Sequence, residues 1–431
     1  MVLPGRFYLR TFGCQMNRHD SERVAGFLQD LGWRRVDEEK DSDLILLNTC
    51  SVRRRPEDKV WGRLARYRRM KADRPGLIVG VLGCMAVIQG DAIRERYPEV
   101  DLVLGPGDLE GLSEKLPDPS SMVPEPLSRT PVERESSLSA WLTVIQGCDN
   151  FCSYCVVPYA RGREASRPSA EIRDEFAQLG ERGYREVTLL GQNVNSYRGQ
   201  GPGGELVDFP GLLRLLDPIP GIERIRFLTS HPRDISPALI EEIARLGKVC
   251  EFLHFPAQSG SDQVLSRMRR GYTRSDYLDR VRRLKEAVPG IALASDFIIG
   301  FPGETDECFA QTLDLVAEVG FDQIFAFAYS PRPGTAAARM LDDVLPQVKA
   351  ERLQELLSRQ QAIAEEKNQR LLGKELEVLV EGKNRRYPQR GEGRTRTGKM
   401  VFFPWESGLT GKLVSVRIER STGLSLYGQV E

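Results

Sequence analysis

Short apolar runs alternate with amphipathic stretches along the first part of the chain. The runs FYLRTFG, LILLNTC, LIVGVLGC and LVLG are separated by stretches such as SERVAGFLQDLG and KVWGRLARYRRMKA, in which apolar residues recur at helical spacing. Alternation of this kind is typical of βαβ units with parallel strands. It predicts an N-terminal parallel α/β sheet domain over residues 1–116.

A second α/β alternation covers residues 140–371. Its candidate strands are WLTVIQG, EVTLLGQN, RIRFLTSH, FLHFPAQSG, IALASDFIIG and QIFAFAYSP, with helical stretches between them. Six strands joined by helices favour a partly closed parallel (β/α)6 barrel, and a long helical pattern from Pro346 to about Leu372 follows it. Residues 117–139 lie before this region and are rich in proline and serine, which is typical of a linker.

The pattern changes again in residues 372–431. Short β runs, LEVLVEG, MVFFP, KLVSVRIER and LSLYGQV, are separated by turns that contain glycine. This spacing predicts a small antiparallel β-barrel. The predicted fold class is therefore α/β with three domains: a parallel sheet, a central barrel and a C-terminal β-barrel.

Composition restricts the setting of these domains. The 431 residues are 40% hydrophobic and 28% charged, which suffices for a large core. No apolar run approaches a membrane span and no apolar block follows the N-terminus, so we expect a cytoplasmic protein without membrane contact. Because the formal net charge is zero, a nucleic-acid partner must be bound by local basic patches.

The segment GCDNFCSYC carries the clearest chemistry. Cys148, Cys152 and Cys155 lie within eight residues of one another, directly after the first strand of the predicted barrel. The spacing is too tight for ordinary disulfides but suits a loop that wraps a metal centre. Three thiolates leave one iron of a 4Fe-4S cluster open for a small molecule. The alternative, a structural zinc loop, needs a fourth ligand that this segment does not offer.

Three further cysteines each follow a predicted strand of the N-terminal domain. Cys14, Cys50 and Cys84 end the runs TFGC, LNTC and VLGC. Carboxyl ends of parallel strands share one edge of a sheet, so we expect these thiols to form a second three-thiol site. Singly, each could be a buried apolar cysteine, which is also the interpretation that we favour for Cys250 and Cys308.

Polar residues follow several barrel strands as well. In such barrels the loops at the carboxyl ends of the strands build the active site, although any single polar residue could belong to a solvated turn. His231 and His254 are interpreted as hydrogen-bonded structural residues rather than metal ligands. The polar strand-end residues are Gln192, Asn193, Ser230, His231, Gln258, Ser259 and Ser330.

Two basic stretches are candidate RNA contacts. The stretch between Val52 and Arg74 contains ten Lys or Arg residues and three acidic residues. Residues 372–431 contain eleven Lys or Arg residues and seven acidic residues. Either stretch could follow a phosphate backbone. The alternative for the first stretch is a solvated helix face. The alternative for the second is a barrel that caps the fold and carries ordinary surface charge. The first includes Arg53, Arg54, Arg55, Arg63, Arg66, Arg68, Arg69 and Lys71, and the second is predicted as one loop with Arg385, Arg386, Arg390, Arg394 and Arg396 beside Tyr387.

These features together carry a resemblance to a known family. The C-x3-C-x2-C loop with Tyr154 before its last cysteine resembles the signature of the radical S-adenosylmethionine (SAM) superfamily. With the three N-terminal cysteines and the basic C-terminal barrel, the whole chain resembles the methylthiotransferases of that superfamily. The segments TFGCQMN, NTCSVR, LGCMA, LLGQNVNSY and FPAQSGSD look most like the MiaB-type branch, which adds a methylthio group to carbon 2 of isopentenylated adenosine at tRNA position 37.

The resemblance implies two 4Fe-4S clusters and SAM as cofactors. The six cysteines would be catalytic metal ligands, with Tyr154, Gln192 and Ser259 near SAM. One cluster would cleave SAM to a 5′-deoxyadenosyl radical, and the cluster on Cys14, Cys50 and Cys84 would hold the sulfur to be donated. Implied partners are tRNA bearing isopentenyladenosine, a reducing electron-donor protein and a sulfur donor, with the chain a monomer and its C-terminal module an RNA-binding TRAM domain.

Three other functions stay open on the sequence. The same machinery could methylthiolate threonylcarbamoyladenosine in tRNA or an aspartate of a ribosomal protein. From a different class, the chain could be a metal-stabilised RNA-binding protein without catalysis. Metal analysis would distinguish this RNA-binding protein from the iron–sulfur enzymes, because zinc without iron would favour the RNA-binding protein.

Overall fold

The structure is a computed structural model, and it describes residues 5–51, 54–116, 132–134 and 136–431. Most of the linker predicted at 117–139 lies outside these ranges, and so does Arg53. The side chains of Arg54 and Arg55 are also outside the description.

The N-terminal domain is a five-stranded parallel sheet in the order β2-β1-β3-β4-β5. Its central strand, LILLNT, is buried at every position, as a parallel strand covered by helices on both faces should be. The predicted sheet is thus confirmed, with one short edge strand added. The elements are β1 (Arg6–Phe12), α1 (Gln15–Asp30), β2 (Arg34–Arg35), β3 (Leu44–Thr49), α2 (Arg54–Asp73), β4 (Ile78–Leu82), α3 (Cys84–Ile88), α4 (Gly90–Arg96), β5 (Leu102–Leu104) and α5 (Leu109–Lys115).

The central domain contains all six predicted barrel strands. They pair in parallel as β6-β9-β12 and β13-β14-β15, and a bridge between Ile225 and Val249 joins the two sets. The long trailing helix packs against the last strand. The elements are β6 (Ser139–Thr143), β7 (Ile145–Gln146), α6 (Val157–Arg161), β8 (Ala165–Ser166), α7 (Ser169–Glu181), β9 (Glu186–Leu190), β10 (Arg198–Gln200), β11 (Leu206–Asp208), α8 (Phe209–Leu216), β12 (Arg224–Phe227), α9 (Pro237–Arg245), β13 (Phe252–His254), α10 (Asp262–Arg267), α11 (Arg274–Ala287), β14 (Ala292–Ile299), α12 (Asp306–Val319), β15 (Gln323–Ala328) and α13 (Pro346–Gln369).

The C-terminal domain is a closed five-stranded barrel in the order β16-β17-β18-β20-β19. Four of its pairings are antiparallel as predicted, and β18 pairs with β20 in parallel. The predicted loop from Arg385 to Arg396 is wrong in its second half, where a strand forms instead. The strands are β16 (Glu375–Lys383), β17 (Arg390–Thr395), β18 (Met400–Pro404), β19 (Leu413–Ser421) and β20 (Ser425–Val430).

Buried arginines join the C-terminal barrel to the amino ends of the central strands. Arg224, the first residue of β12, is fully buried and donates to the carbonyl of Arg394 at 2.7 Å. Arg226 donates to the carbonyl of Arg396, also at 2.7 Å, and the Arg396 guanidinium pairs with Glu251 at 2.8 Å. The C-terminal barrel therefore covers the rim of the central barrel that is opposite the carboxyl ends of its strands. Among the described residues, no helix is both long enough and apolar enough to cross a membrane.

Candidate active site

The segment that holds Cys148, Cys152 and Cys155, here called the barrel cysteines, links β7 to α6 at the carboxyl ends of the central strands. Gly147 opens it with a φ of +80°, and a Cβ there would lie 2.0 Å from the carbonyl oxygen of Arg163. Only glycine fits that position. The loop then folds back on itself through a hydrogen bond from the Cys155 amide to the Cys152 carbonyl at 3.0 Å. All three thiols are thereby presented by one short turn of backbone.

Each barrel thiol accepts a hydrogen bond from a different kind of donor. The Asn150 amide donates to Cys148 Sγ at 3.5 Å, and the backbone amide of Val157 donates to Cys155 Sγ at 3.4 Å. The guanidinium of Arg270 donates to Cys152 Sγ at 3.3 Å.

Burial raises the pKa of the Cys148 thiol and raises the pKa of the Cys155 thiol to about 12, because a thiolate loses solvation there. Metal binding is what would deprotonate these thiols, since the thiolate is the ligand form.

The donor set, three thiols, is of the type that binds an iron–sulfur cluster. In the described part of the chain, no group of three or more His, Cys, Asp or Glu residues is arranged to hold one metal ion. A 4Fe-4S cluster makes a different demand, because each thiolate binds a separate iron and the thiols need not converge on one point. Three thiols on one loop fit that demand.

The three residues predicted near SAM make identifiable contacts, and two of them, Tyr154 and Gln192, lie in or against this loop. Gln192 Oε1 accepts a hydrogen bond from the Gly147 amide at 2.5 Å, which fixes the start of the loop. The Tyr154 hydroxyl accepts from Arg270 at 3.4 Å. Ser259 is buried, and its Oγ accepts from the Ser261 amide at 3.2 Å. Contact of these three side chains with SAM stays a prediction.

Arg270 is a residue of this site that the sequence did not predict. It follows α10 in the segment RRGYT, where neither periodicity nor a recognised motif singles it out. Its side chain is buried beneath the cysteine loop, with Nε on the Tyr272 hydroxyl at 3.1 Å and Nη2 on the Pro256 carbonyl at 3.0 Å. A cluster of Arg and Tyr in a loop is the only signal that could have suggested it.

Cys14, Cys50 and Cys84, here called the strand-end cysteines, follow three adjacent parallel strands. Phe12 of β1 is paired with Thr49 of β3, and Asn48 of β3 with Leu82 of β4, so the strands end at nearly the same level. Adjacent strands are about 4.8 Å apart, which brings the residues after them together.

The protonation of these thiols differs with their surroundings. A hydrogen bond with Cys50 lowers the pKa of the Cys14 thiol to about 6. Burial raises the pKa of Cys84. Cys14 is exposed, whereas Cys50 and Cys84 are buried.

The side-chain amides of Asn17 and Asn48 form a buried hydrogen-bond network next to these cysteines. The thiol of Cys14 contacts Asn17 Oδ1 at 3.2 Å, and Asn17 Nδ2 donates to Asn48 Oδ1 at 3.2 Å. Asn48 Nδ2 donates in turn to the Asn17 carbonyl at 2.8 Å and to Ser21 Oγ at 2.9 Å. Gly83 has a φ of +89°, and a Cβ there would lie 2.3 Å from Asn48 Oδ1. The network therefore requires both amides and the glycine.

Two buried ion pairs connect the domains next to the strand-end cysteines. Arg161, the last residue of α6, pairs with Asp20 of α1 at 2.6 Å, and both side chains are less than 10% exposed. Its positive charge acts on the thiols of Cys14 and Cys84. On the other side, Arg332 pairs with Glu57 of α2 at 2.8 Å. Because α6 begins two residues after Cys155, these pairs bring the two sets of cysteines to the same interdomain region.

The remaining histidines and cysteines have structural surroundings. His231 Nδ1 accepts from the Arg233 amide at 3.2 Å, and burial lowers the pKa of His231 to about 2. His254 Nε2 lies 3.2 Å from Asp296. Cys250 and Cys308 are buried, as predicted.

The basic helix α2 is less available to RNA than its composition suggests. Arg63 and Arg66 both pair with Glu39, Arg68 pairs with Glu99, and Lys71 pairs with Asp101. Three carboxylates of the same domain thus pair with four of the six cations whose side chains the structure describes on this helix. This favours the solvated-face alternative.

The C-terminal barrel has a surface where cations and aromatic rings alternate. Arg390 Cζ lies 5.3 Å from the ring centroid of Tyr387 and 5.7 Å from that of Tyr427. Arg420 Cζ lies 3.6 Å from Tyr427, and Arg386 Cζ lies 5.4 Å from Tyr387. We call these five residues the Arg–Tyr ladder. Planar cations and rings of this kind can stack with unpaired bases and contact phosphates.

Two arginines from the predicted basic loop are engaged elsewhere. Arg394 pairs with Glu381 at 2.8 Å, and Arg396 is held by Glu251 at the domain interface. They are therefore poor candidates for RNA contact, unlike the ladder residues.

Comparisons with known proteins agree with this architecture. Residues 6–105 match the Uncharacterized protein family UPF0004, residues 142–316 match the Radical SAM superfamily, and residues 369–430 match the TRAM domain. In solved structures the fold is similar to that of the radical SAM methyltransferase TsrM from Kitasatospora setae, with a TM-score of 0.55, 16% identity, and coverage of 78% of this chain and 74% of that one. The cobalamin-dependent SAM radical enzyme OxsB has a TM-score of 0.52 at 13% identity, covering 84% of this chain and 56% of its own.

Sequence relatives match over nearly the whole length. The tRNA-2-methylthio-N(6)-dimethylallyladenosine synthase of Desulforamulus reducens is 46% identical, covering 98% of this chain and 95% of that protein. The protein of the same description from Moorella thermoacetica is 45% identical, with 98% of both chains covered. That from Bordetella parapertussis is 45% identical over 99% of this chain and 92% of its own length.

Proposed function

Since the chain belongs to the family of tRNA-2-methylthio-N(6)-dimethylallyladenosine synthases, radical SAM enzymes, we propose that it adds a methylthio group to carbon 2 of N(6)-isopentenyladenosine at position 37 of tRNA. The observation that carries the proposal is the convergence of two three-cysteine sets at one interdomain region, where Arg161 meets Asp20. A hydrogen on carbon 2 of adenine is neither acidic nor a leaving group, so acid–base or nucleophilic catalysis alone cannot replace it.

The barrel cysteines would hold the 4Fe-4S cluster that membership of the radical SAM superfamily implies. Bound there with SAM, that cluster supplies the electron for radical formation. The chain's own contribution is positional. Gln192 holds Gly147 at the start of the loop, and Cys152 and Ser153 are buried in the turn. Tyr154 and Ser259 stay candidate SAM contacts.

We assign a second cluster, which would bear the sulfur to be donated, to the strand-end cysteines. Support comes from the amide network that fixes the segments after β1 and β3, and from the matching ends of three parallel strands. In the same proposal the two clusters face one interdomain space, where sulfur and radical can act on the same base. The sulfur donor and the reducing protein would be separate partners, and we expect a cytoplasmic monomer.

The tRNA would be bound in part by the Arg–Tyr ladder. Its cations and rings supply phosphate contacts and stacking planes, which bind RNA without reading a particular sequence. Selection of isopentenyladenosine would then depend on the space between the two cysteine sets.

Nucleoside analysis tests the assignment. In tRNA from a strain that lacks this chain, we expect the methylthiolated isopentenyladenosine to disappear and unmodified isopentenyladenosine to accumulate. A plasmid copy of the chain should restore the product. Loss of methylthiolated threonylcarbamoyladenosine instead would contradict the proposed substrate. Anaerobically purified protein should carry about eight irons if two 4Fe-4S clusters form, and zinc without iron would contradict the enzyme assignment.

A further inference from the structure

Arg270 has an unusual environment for a buried guanidinium. It is only 4% exposed, and the acceptors around it are the Tyr272 and Tyr154 hydroxyls, the Pro256 carbonyl and Cys152 Sγ. The three oxygens are uncharged groups. The hydrogen-bonding capacity of the guanidinium is thus largely satisfied, but none of these oxygen acceptors carries a negative charge that would balance its positive charge.

The other buried arginines of the described chain all have a carboxylate partner. Burying a guanidinium without a counter-charge costs several kcal/mol. Within the described ranges, Arg270 alone among the buried arginines has no carboxylate within 4.0 Å. The paired ones are Arg161 with Asp20, Arg224 with Glu377, Arg226 with Glu186, Arg332 with Glu57 and Arg352 with Glu304.

The Tyr154 and Tyr272 hydroxyls stay protonated, because burial raises the pKa of both groups. The contact of Arg270 that becomes anionic is therefore the sulfur of Cys152, which is a thiolate when it binds iron. Cys148 and Cys155 accept from a side-chain amide and a backbone amide, both neutral. We propose that Arg270 is the counter-ion of the Cys152 thiolate in the iron-loaded protein and raises the reduction potential of the cluster there. This inference rests on the proposed function, since it requires a cluster on the barrel cysteines.

The direction of the effect follows from charge. Reduction adds one electron to a cluster that already carries three thiolates, and a nearby fixed cation stabilises the more negative state. The buried position removes water that would otherwise screen the interaction. Arg270 is therefore a positioning and tuning residue that acts through Cys152.

The test uses the full chain with Cys14, Cys50 and Cys84 all replaced by Ala, so that any cluster present is on the barrel cysteines. In this background we compare Arg270, Arg270→Met and Arg270→Lys with the matched control Arg267→Met. Arg267 is an exposed residue of α10 whose side chain donates to the Pro302 carbonyl. The control removes the same charge a few residues away, without the thiol contact.

The first measurement is an anaerobic redox titration followed by electron paramagnetic resonance. At a fixed potential, Arg270→Met should lower the ratio of reduced to oxidised cluster at least tenfold, which corresponds to a midpoint shift of about 59 mV for one electron. Arg270→Lys should recover most of the shift, and Arg267→Met should show little. An unchanged midpoint in Arg270→Met would overturn the inference.

The second measurement is thermal unfolding of apo and iron-loaded protein. In the apo form Arg270 lacks its counter-charge, so Arg270→Met should leave the melting temperature unchanged or raise it. Loading with iron should then raise the melting temperature less in Arg270→Met than in the unmodified background. An equal gain on loading would also overturn the inference. If the background protein binds no iron at all, the proposed function fails instead, and the two failures are distinguishable.

Discussion

The two cysteine sets are assembled by different routes. The barrel cysteines are neighbours in sequence, and Gly147 together with the turn between Cys152 and Cys155 presents them from one loop. The strand-end cysteines are far apart in sequence and depend on strand register and on buried amides of other segments. A site made by one loop tolerates changes elsewhere in the fold, whereas a site made by a sheet edge requires the whole domain to be intact.

The two sets also differ in how a buried arginine beside them is neutralised. Arg161, near the strand-end cysteines, has Asp20 of the N-terminal domain as its partner. Arg270, below the barrel cysteines, has a thiol. Arg161 therefore links two domains, whereas the positive charge of Arg270 is available to interact with a group bound by the barrel cysteines.

The largest effect is expected from removing a barrel thiol. Cys148→Ala should reduce reductive SAM cleavage and methylthiolated product to background, because two thiols cannot hold the cluster in place. The strand-end cluster should remain, leaving about four irons per chain. The measurements are iron content and 5′-deoxyadenosine formation. Undiminished cleavage would remove the barrel cysteines from the radical step.

The converse change separates the two sets. Cys50→Ala should abolish methylthio transfer while some SAM cleavage survives, because the barrel loop does not depend on the sheet edge. Product nucleoside and 5′-deoxyadenosine are measured in the same reaction. If methylthiolation stayed normal, the strand-end cysteines would have no part in sulfur transfer.

A moderate effect on stability is expected at the domain junction. Asp20→Asn leaves the buried Arg161 without its counter-charge and should destabilise the docked N-terminal domain by about 3–5 kcal/mol. Urea unfolding of the apoprotein measures it through the first transition. The double variant Asp20→Leu with Arg161→Met should recover much of the loss, since it removes both charges. Equal stability of Asp20→Asn and the unmodified chain would show that this pair does not hold the domains.

The smallest effect is expected far from both cysteine sets, on the Arg–Tyr ladder. Arg420→Gln should weaken tRNA binding severalfold and reduce the slope of log affinity against log salt by about one. The matched control is Arg69→Gln on α2, an exposed arginine of the other candidate surface. A larger change in the control would move the RNA surface to α2.

Point variants are needed here because deletion of residues 372–431 would disturb the central barrel. Arg224 and Arg226 are buried by contacts with the carbonyls of the C-terminal barrel. Deletion would leave both guanidinium groups without those acceptors, so a loss of binding could not be assigned to lost phosphate contacts alone.

Several features of this protein were determined by the sequence alone. The barrel loop is local, so the spacing of Cys148, Cys152 and Cys155 was enough to predict a chelating segment. Hydrophobic periodicity is likewise local, and the four predicted strands of the parallel sheet, the six barrel strands and the long helix α13 are confirmed. The strand-end cysteines required one more step, the rule that parallel strands end at one edge, and their role stays a prediction.

Only the tertiary structure decided which charges are available. Arg394, Arg396 and four described cations of α2 look like any other surface cation in the sequence, yet carboxylates distant in the chain pair with them. In the sequence Arg270 resembles any other arginine. It stands out only after folding, because no described carboxylate lies within 4.0 Å of its buried guanidinium. Spacing along the chain carries no information about which opposite charge lies within 4 Å after folding. That depends on strand register and domain docking, which the packing of the whole molecule sets.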